Sequence, residues 1–218
     1  MKFLKISYLL FFCLAIDAVT VDTGHAKVSL VKFENFQEDQ SKSLLGIQMD
    51  MQENWHTYWK NPGDSGGPIK VQWSHENNIF ISELRWPTPT LIPYEPLMTY
   101  GYKNFVIFPF EIINSNNLNS YIEAKIDFLI CDDICVPEKA LIKTNLNEIK
   151  TNSLLYDWFL NVPSQILPVK ASLDNGFINI RFSSPFNVSS ATFFVDNQDI
   201  VEHAEDQILI KEENNYLL

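Results

Sequence analysis

The chain has 218 residues with 27 acidic and 16 basic side chains, which give a formal net charge of −11 at pH 7. A chain this acidic does not bind nucleic acid or anionic lipid by bulk electrostatic attraction, so we expect no nucleic-acid partner. Aromatic residues make up 13% of the sequence, and Ala-rich helical runs are missing. This composition indicates β structure interrupted by turns.

The N-terminus has the order of positive charge, apolar run and small residues that is typical of a secretory signal peptide. Two lysines near the start supply the charge, residues 8–16 are mostly apolar, and Gly24 and Ala26 are small. The apolar run is far shorter than the roughly 20 residues that span a bilayer. We therefore predict a signal peptide over residues 1–26, export of the chain, and no direct insertion into the membrane.

Between residues 27 and 150, short segments alternate apolar and polar residues with a period of two, or are rich in β-branched and aromatic residues. These candidate strands are residues 28–36, 43–52, 69–73, 104–113, 121–130 and 140–146. No long helical period separates them, and many strands at short spacing favour two sheets packed face to face. We predict an all-β fold, an antiparallel β-sandwich, over residues 27–150.

The pattern changes after about residue 150. In SLLYDWFLN, residues 153–161, large apolar side chains recur at helical spacing, which predicts a short amphipathic helix within a connector over residues 151–170. Further candidate strands lie at residues 177–182, 191–196 and 208–210. Residues 171–218 are too few for a comfortable independent core, so this small second β unit either packs on the first domain or is incomplete.

The segment DFLICDDICVPEKA, residues 127–140, holds the two cysteines that remain once Cys13 leaves with the signal peptide. Cys131 and Cys135 end one candidate strand and precede the next, so their Cα atoms can approach to the roughly 4.4–6.8 Å that a disulfide requires. A disulfide that closes so short a loop stabilises a fold little. This favours redox exchange with other proteins, while a local structural disulfide remains an open alternative.

A metal site is the third interpretation of this cysteine pair. Two thiolates at this spacing supply half of a tetrahedral zinc site, and two soft thiolates could hold copper(I). The histidines do not lie in the paired spacing that would complete a zinc site. We therefore expect no metal cofactor, and copper(I) binding stays an alternative.

The loop between the cysteines is acidic. Asp132 and Asp133 lie beside the sulfurs, and no basic residue lies inside the loop to oppose them. Negative charge close to a sulfur disfavours the thiolate form, so a thiol in this setting is a slow attacker at neutral pH. We infer a passive shuttle whose partners bring the reactive thiolate. Beyond the loop, Glu138 and Lys139 are expected to begin a solvated strand.

The block WHTYWKNPGDSGGP, residues 55–68, contains His56 and Asp64, which could be considered as an acid or a base. Tight turns at the glycines and packing of the aromatic side chains explain this block better. We therefore assign His56 to packing, and the sequence offers no support for hydrolase chemistry.

Three blocks of the sequence, residues 55–68, 98–110 and 127–140, resemble in this order the N-terminal domains of DsbD/ScsB-type thiol:disulfide interchange proteins. Residues 193–207 resemble a further block of the ScsB-like branch. The resemblance implies an immunoglobulin-like β-sandwich in the periplasm, with the two loop cysteines as a redox pair.

By this resemblance, Cys131 and Cys135 would form the redox-active disulfide of a thiol:disulfide oxidoreductase that needs no other cofactor. Electrons would arrive from a membrane-embedded thiol reductase core and pass to periplasmic thioredoxin-like or disulfide-bonded proteins. A separate membrane protein would have to supply them. Tyr58 and Trp59 would cap the pair, with Cys135 as the more exposed sulfur. The rival hypothesis is a non-enzymatic β-sandwich binding module that carries a structural disulfide.

Overall fold

The computed structural model describes residues 20–34, 41–76, 79–113, 119–164, 168–212 and 215–218. Most of the predicted signal peptide, including Cys13, lies outside the described residues. Its cleavage after Ala26 therefore stays a prediction.

The strands in chain order are β1 (Thr20–Asp22), β2 (Ala26–Phe33), β3 (Lys42–Met51), β4 (His56–Gly63), β5 (Lys70–His75), β6 (Phe80–Ile81), β7 (Thr90–Tyr94), β8 (Leu97–Lys103), β9 (Phe105–Ile113), β10 (Tyr121–Cys131), β11 (Cys135–Asn145), β12 (Lys150–Thr151), β13 (Val169–Asp174), β14 (Phe177–Phe182), β15 (Ile210–Lys211) and β16 (Tyr216–Leu217). A 3-10 helix, η1, covers Leu146–Glu148, and an α-helix, α1, covers Leu154–Leu160.

Two mostly antiparallel sheets pack face to face as a β-sandwich, which confirms the predicted all-β fold. The first sheet has the order β1-β2-β3-β9-β6, with β12 parallel to β2. The second has the order β11-β10-β4-β8-β7, with β5 also paired to β10. The candidate strands of the first domain appear as β2, β3, β5, β9, β10 and β11.

The core lies between these two sheets because each strand turns alternate side chains inward. Phe108 and Phe110 of the first sheet are fully buried, as are Ile126 and Ile130 of β10 in the second. Burying each such side chain stabilises the fold by roughly 1.5–3 kcal/mol. The same alternation along β10 places Cys131 on the outer face of the second sheet.

The residues that precede β2 pack against the sandwich through a buried carboxylate. The hydroxyl of Thr23 and the backbone N–H of His25 donate to Glu138, and His25 Nδ1 lies 2.6 Å from Glu138 Oε1. Glu138 is only 7% exposed, so the expectation of a solvated strand start is wrong at this residue. A buried carboxylate needs hydrogen-bond donors, and here they come from residues 113 and 115 positions earlier in the chain.

The helix α1 packs on the outer face of the first sheet, and the predicted short helix is confirmed. Leu155 is fully buried against Val31, Leu44 and Ile107. Gly46 makes room for it, because a Cβ at that position would lie 2.7 Å from Leu155 Cδ1. The apolar side that the helical spacing indicated is therefore the buried side.

The C-terminal part forms a separate sheet with the order β13-β14-β16-β15. The predicted strand at residues 177–182 is confirmed as β14, while β13 begins at Val169, inside the predicted connector. The predicted strand at residues 191–196 is wrong, since these residues belong to no strand. Their backbone and side chains contact β4 instead.

Candidate redox site

The two cysteines close the end of the hairpin formed by β10 and β11. The strands pair position by position from Tyr121 opposite Asn145 to Cys131 opposite Cys135. This pairing brings the Cα atoms of the cysteines to 4.1 Å, just below the range expected from the sequence, and the two sulfurs are bonded. The disulfide is therefore a product of strand register, because the last pair of the ladder consists of the two cysteines.

The two cysteines differ in exposure. Cys131 is 2% exposed, whereas Cys135 is exposed at the tip of the hairpin. In the loop, Asp132 and Asp133 are exposed, and the N–H of Asp132 donates to the carbonyl of Ile134 at 3.1 Å. Ile134 is 67% exposed. Another protein can therefore reach the disulfide from the Cys135 side, where an apolar side chain and two carboxylates surround it.

Tyr58 covers the buried sulfur. Its hydroxyl donates to Cys131 Sγ at 2.7 Å and lies 3.4 Å from Cys135 Sγ. The side chain is 1% exposed, and burial raises the pKa of Tyr58 above its ordinary value. The phenol therefore stays protonated at neutral pH and can donate its proton in a hydrogen bond to a sulfur that becomes negatively charged.

The turn that follows β4 holds the ring of Tyr58 in place. Asp64 anchors this turn to β8, since its carboxylate accepts from the N–H of Met98 at 2.8 Å and its own N–H donates to the Met98 carbonyl at 3.0 Å. Gly66 has a φ of +96°, and a Cβ at this position would lie 2.2 Å from atoms of the Tyr58 ring. A glycine at this position lets the turn lie directly against the ring.

Of the two aromatic residues expected to cap the disulfide, the structure brings only Tyr58 to the sulfurs. Trp59 belongs to the core cluster and packs against Tyr100 and Phe194, with ring centroids 6.5 Å and 6.0 Å away. The reason is geometric: consecutive side chains of a strand point to opposite faces, so neighbours on β4 cannot both face the disulfide.

His56 lies beside the site as a neutral packing residue. It is in register with Cys131 across β4 and β10, and its ring meets the Tyr58 ring edge-on at 5.3 Å. Burial lowers the pKa of His56, the positive charge of Lys103 lowers it further, and Asp132 opposes both effects. The imidazole therefore contributes no positive charge that would stabilise a thiolate at neutral pH.

Comparison with known families agrees with this geometry. The family model for the N-terminal part of the thiol:disulfide interchange protein DsbD matches residues 27–147, which include all of β2 except Ala26, the strands β3 to β11 and both cysteines. The chain belongs to this DsbD N-terminal family. The resemblance found in the sequence blocks is thereby confirmed.

A solved structure also resembles this DsbD-family chain. It is the N-terminal periplasmic domain of ScsB from Proteus mirabilis, with a TM-score of 0.59 and 16% sequence identity over 78% of this chain and 69% of that one. At this identity the likeness supports the fold alone. Among curated proteins, none matches the chain.

Two findings concern other predicted properties of this DsbD-family chain. In the part of the chain that the structure describes, no helix combines the length and hydropathy needed to cross a bilayer. Within the same residues, no group of three His, Cys, Asp or Glu side chains is arranged as metal ligands.

The sequence located the cysteines, and the family resemblance supplied Tyr58 as a cap, but neither showed the hydrogen bond to Cys131 or the place of His56 beside it. Tyr58 and Cys131 are 73 positions apart in the chain, and His56 meets Cys131 only through the pairing of β4 with β10. Strand pairing between distant segments leaves no local pattern in a single sequence. The alternation of side chains along β4 was the one available signal, because it allows only one of Tyr58 and Trp59 to face the sulfurs.

Proposed function

We propose that this DsbD-family domain exchanges its Cys131–Cys135 disulfide with the thiols of other proteins in the periplasm. In this role it relays electrons from a membrane-embedded thiol reductase core to oxidised periplasmic proteins. The observation that carries the proposal is the asymmetry of the pair: Cys135 is exposed, whereas Cys131 is buried under a phenol that donates to its sulfur.

The domain would accept electrons by attack on the exposed sulfur. A thiolate of the reduced partner attacks Cys135 Sγ, the bond to Cys131 breaks, and its electron pair leaves with Cys131 Sγ as a thiolate. The hydroxyl of Tyr58 is already 2.7 Å from this leaving sulfur. A hydrogen bond to a charged acceptor is stronger than one to a neutral acceptor, so Tyr58 stabilises the product of bond cleavage more than the disulfide.

The second half of the exchange completes the transfer of two electrons. The partner's other thiol attacks its own sulfur in the mixed disulfide and releases Cys135 as a thiolate, and the thiolates of this domain then take up protons. The partner is left oxidised with its own disulfide, and the domain holds two thiols. The reduced domain would next attack a disulfide of an oxidised protein through Cys135. Attack of Cys131 on the resulting mixed disulfide would restore the Cys131–Cys135 bond.

The electrostatics of the site agree with a domain that relies on its partners for the reactive thiolate. Asp132 and Asp133 are exposed beside the sulfurs, and the His56 imidazole is neutral. Low thiol pKa values in redox proteins come from nearby positive charges or helix N-termini. Here the stabilising group is the uncharged phenol of Tyr58. We therefore expect the oxidised domain to be attacked readily by a partner thiolate, and the attack of the reduced domain through Cys135 to be the slower half of the cycle.

A redox titration in glutathione or dithiothreitol buffers tests this proposal. A relay disulfide should have a midpoint potential well above the region of about −300 mV, below which structural disulfides usually lie. A midpoint below that region would favour the rival hypothesis of a binding module with a structural disulfide. Any copper(I) binding would be measured separately on the reduced protein by competition with a copper(I) chelator.

Trapping then identifies the route of attack. The variant Cys131→Ser keeps the exposed sulfur and lacks the second cysteine, so a mixed disulfide with a partner should accumulate on Cys135. The matched variant Cys135→Ser keeps only the buried sulfur under Tyr58 and should trap far less. Equal trapping by both variants would contradict attack at Cys135.

A further inference from the structure

The strand that carries Tyr58 departs from regular pairing directly after this residue. On β4, Tyr58 is in register with Gly101 of β8 and Gly63 with Thr99, and the register shifts between these two pairs. More residues of β4 than of β8 lie between the pairs, so β4 bulges here. The turn that follows the bulge contains Gly66, which lies against the Tyr58 ring. The position of the bulge therefore sets the position of this turn.

The bulge is held by a segment from the C-terminal part of the chain, residues 194–203, which we name the docking segment. The side-chain amide of Asn61 donates to the carbonyl of Val195 at 2.8 Å and to that of Asn197 at 3.3 Å. Asn61 is 1% exposed, and its side-chain oxygen accepts from the N–H of Gly63 at 3.0 Å. One buried amide therefore joins the docking segment to the backbone of the bulge.

Aromatic packing adds a second set of contacts between the docking segment and the bulge. Phe194 meets both Trp59 and Tyr100 edge-on, with ring centroids 6.0 Å and 5.1 Å away. His203 Nδ1 lies 3.0 Å from the Tyr100 hydroxyl, and both atoms are in a buried contact. The docking segment thus contacts the bulge on β4 and the β8 residue that lies between its two register pairs.

An ion pair completes the docking at the surface. Lys60 Nζ lies 2.6 Å from Asp196 Oδ1, with side chains that are 37% and 66% exposed. A pair this exposed contributes little to stability. This ion pair offers a site for mutation, because either side chain can be replaced without disturbing the core.

These contacts form a continuous path from the docking segment to the disulfide. The segment fixes Asn61 and Trp59, and these residues fix the bulge between Tyr58 and Gly63. The bulge positions the turn that lies against the Tyr58 ring, and the Tyr58 hydroxyl contacts Cys131 Sγ. The docking segment lies outside any strand, so it can leave β4 without breaking a sheet ladder.

We propose that the docking segment is a positioning element that sets the reactivity of the Cys131–Cys135 disulfide through Tyr58. While it is docked, the Tyr58 hydroxyl stays on Cys131 Sγ, the sulfur that leaves when Cys135 is attacked. When it leaves β4, the bulge relaxes, the ring moves, and the leaving thiolate loses this hydrogen bond. A partner that binds residues 194–203 and draws them from β4 would thereby lower the reactivity of the disulfide. This inference rests on the proposed thiol–disulfide exchange and adds its regulation.

The rate of reduction by dithiothreitol tests the inference without any protein partner. Dithiothreitol gives two electrons to the disulfide and closes to its own cyclic disulfide, while Cys131 and Cys135 become thiols. The variant Phe194→Ala loses the contacts with two rings, and we expect it to be reduced roughly two- to tenfold more slowly than the wild type, the factor that corresponds to losing an aromatic pair. The matched control is Phe186→Ala, because Phe186 lies in the same part of the chain and is 78% exposed.

A second pair of variants tests the effect of the docking segment on the reduction rate if Phe194→Ala does not fold. Asp196→Lys replaces attraction to Lys60 by repulsion at the surface and should also slow reduction, whereas Asp174→Lys, on β13, should not. Wild-type rates in both docking-segment variants would overturn the inference.

A double-mutant cycle tests whether the effect passes through Tyr58. In a Tyr58→Phe background the hydroxyl is already absent, so Phe194→Ala should slow reduction no further. An equal slowing in both backgrounds would show that the segment does not act through the Tyr58 hydroxyl. The midpoint potential of the wild type tests the proposed function, whereas the rates of the variants relative to the wild type test this inference. Failure of the proposed function and failure of this inference therefore give different results.

Discussion

The hydroxyl of Tyr58 donates to Sγ of Cys131 at 2.7 Å, and the same hydroxyl lies 3.4 Å from Sγ of Cys135. The closer sulfur is the buried one. The phenol therefore stands beside the sulfur that leaves when a partner attacks the exposed cysteine. The hydrogen bond of Tyr58 comes from its hydroxyl and the packing from its ring, so a substitution that keeps the ring can test the hydrogen bond by itself.

Replacing Tyr58 by Phe should slow reduction of the disulfide while leaving the fold intact. The ring and its packing remain, but the leaving thiolate of Cys131 loses a hydrogen bond, and bonds to charged acceptors contribute roughly 1.5–3 kcal/mol. We expect dithiothreitol to reduce Tyr58→Phe roughly three- to tenfold more slowly, since only part of that energy is realised in the transition state, and the midpoint potential to become more negative.

The control for this change is Tyr94→Phe, because Tyr94 is 56% exposed on β7. Its rate and potential should match those of the wild type. Unchanged kinetics in Tyr58→Phe would mean that the phenol serves only as a cover.

Alanine substitutions at two glycines with positive φ distinguish the cost of backbone strain from the cost of a clash with Tyr58. Gly66 and Gly176 have φ values of +96° and +85°, but a Cβ at Gly176 would meet nothing within 4 Å. Alanine in this conformation costs about 1–2 kcal/mol at either position. Gly66→Ala should lower the free energy of unfolding by more than Gly176→Ala, because its Cβ would overlap the Tyr58 ring.

The same pair gives a second readout at the disulfide. If the turn around Gly66 holds the Tyr58 hydroxyl on Cys131 Sγ, Gly66→Ala should also slow reduction of the bond, and Gly176→Ala should not. Urea denaturation and reduction kinetics measure the two effects on the same samples. Similar losses of stability in both variants would show that the turn can move away from the ring freely.

The buried His56 should make the stability of the fold depend on pH. The folded protein holds the pKa of His56 below 6.5, chiefly because of burial. As the pH falls below about 6.5, the unfolded state therefore binds more protons than the folded state, and the free energy of unfolding decreases. Above that pH this contribution to stability is fully present.

The variant His56→Gln should lack this part of the pH dependence. Its free energy of unfolding, measured in urea between about pH 5 and 8, should fall less steeply on acidification than that of the wild type. His75→Gln changes an exposed histidine and serves as the control. Parallel profiles for His56→Gln and the wild type would contradict a neutral, buried His56.

The carboxylate of Glu138 should be important for stability although it lies outside the redox site. Cleavage after Ala26 would remove Thr23 and His25, so this prediction concerns the uncleaved chain. In that chain Glu138→Ala removes the acceptor for both residues, and we expect a loss of about 2 kcal/mol in the free energy of unfolding. Glu123→Ala breaks an exposed ion pair with Lys143 and should change stability little. Chemical denaturation compares the two. An equal, small effect in both variants would mean that Glu138 is not the anchor of the N-terminal residues.

Local patterns in the sequence were sufficient for six strands of the sandwich and for the disulfide, whereas β4, β7 and β8 were not predicted. Alternation along residues 121–130 and 140–146 predicted β10 and β11, and the position of the cysteines at the strand ends predicted that their sulfurs could meet. Helical spacing predicted α1 for the same reason: a period in the sequence corresponds to one buried face.

What the sequence could not show depends on contacts between distant segments. Glu138 follows a proline at an apparent strand start, yet residues 23–25 bury it. Residues 191–196 have the composition of a strand, yet the Val195 carbonyl is used by the Asn61 side chain and Phe194 by the core aromatics. In both cases tertiary contacts outweigh the local propensity.

The hairpin of β10 and β11 has a consequence for redox cycling. The two strands are joined by ladder pairs along their whole length, and the sulfur–sulfur bond is added only at the last pair. Breaking the disulfide releases no chain segment, because the backbone hydrogen bonds between β10 and β11 hold the hairpin together without it. Oxidised and reduced forms can therefore share one backbone, and electrons can come and go without refolding of the domain.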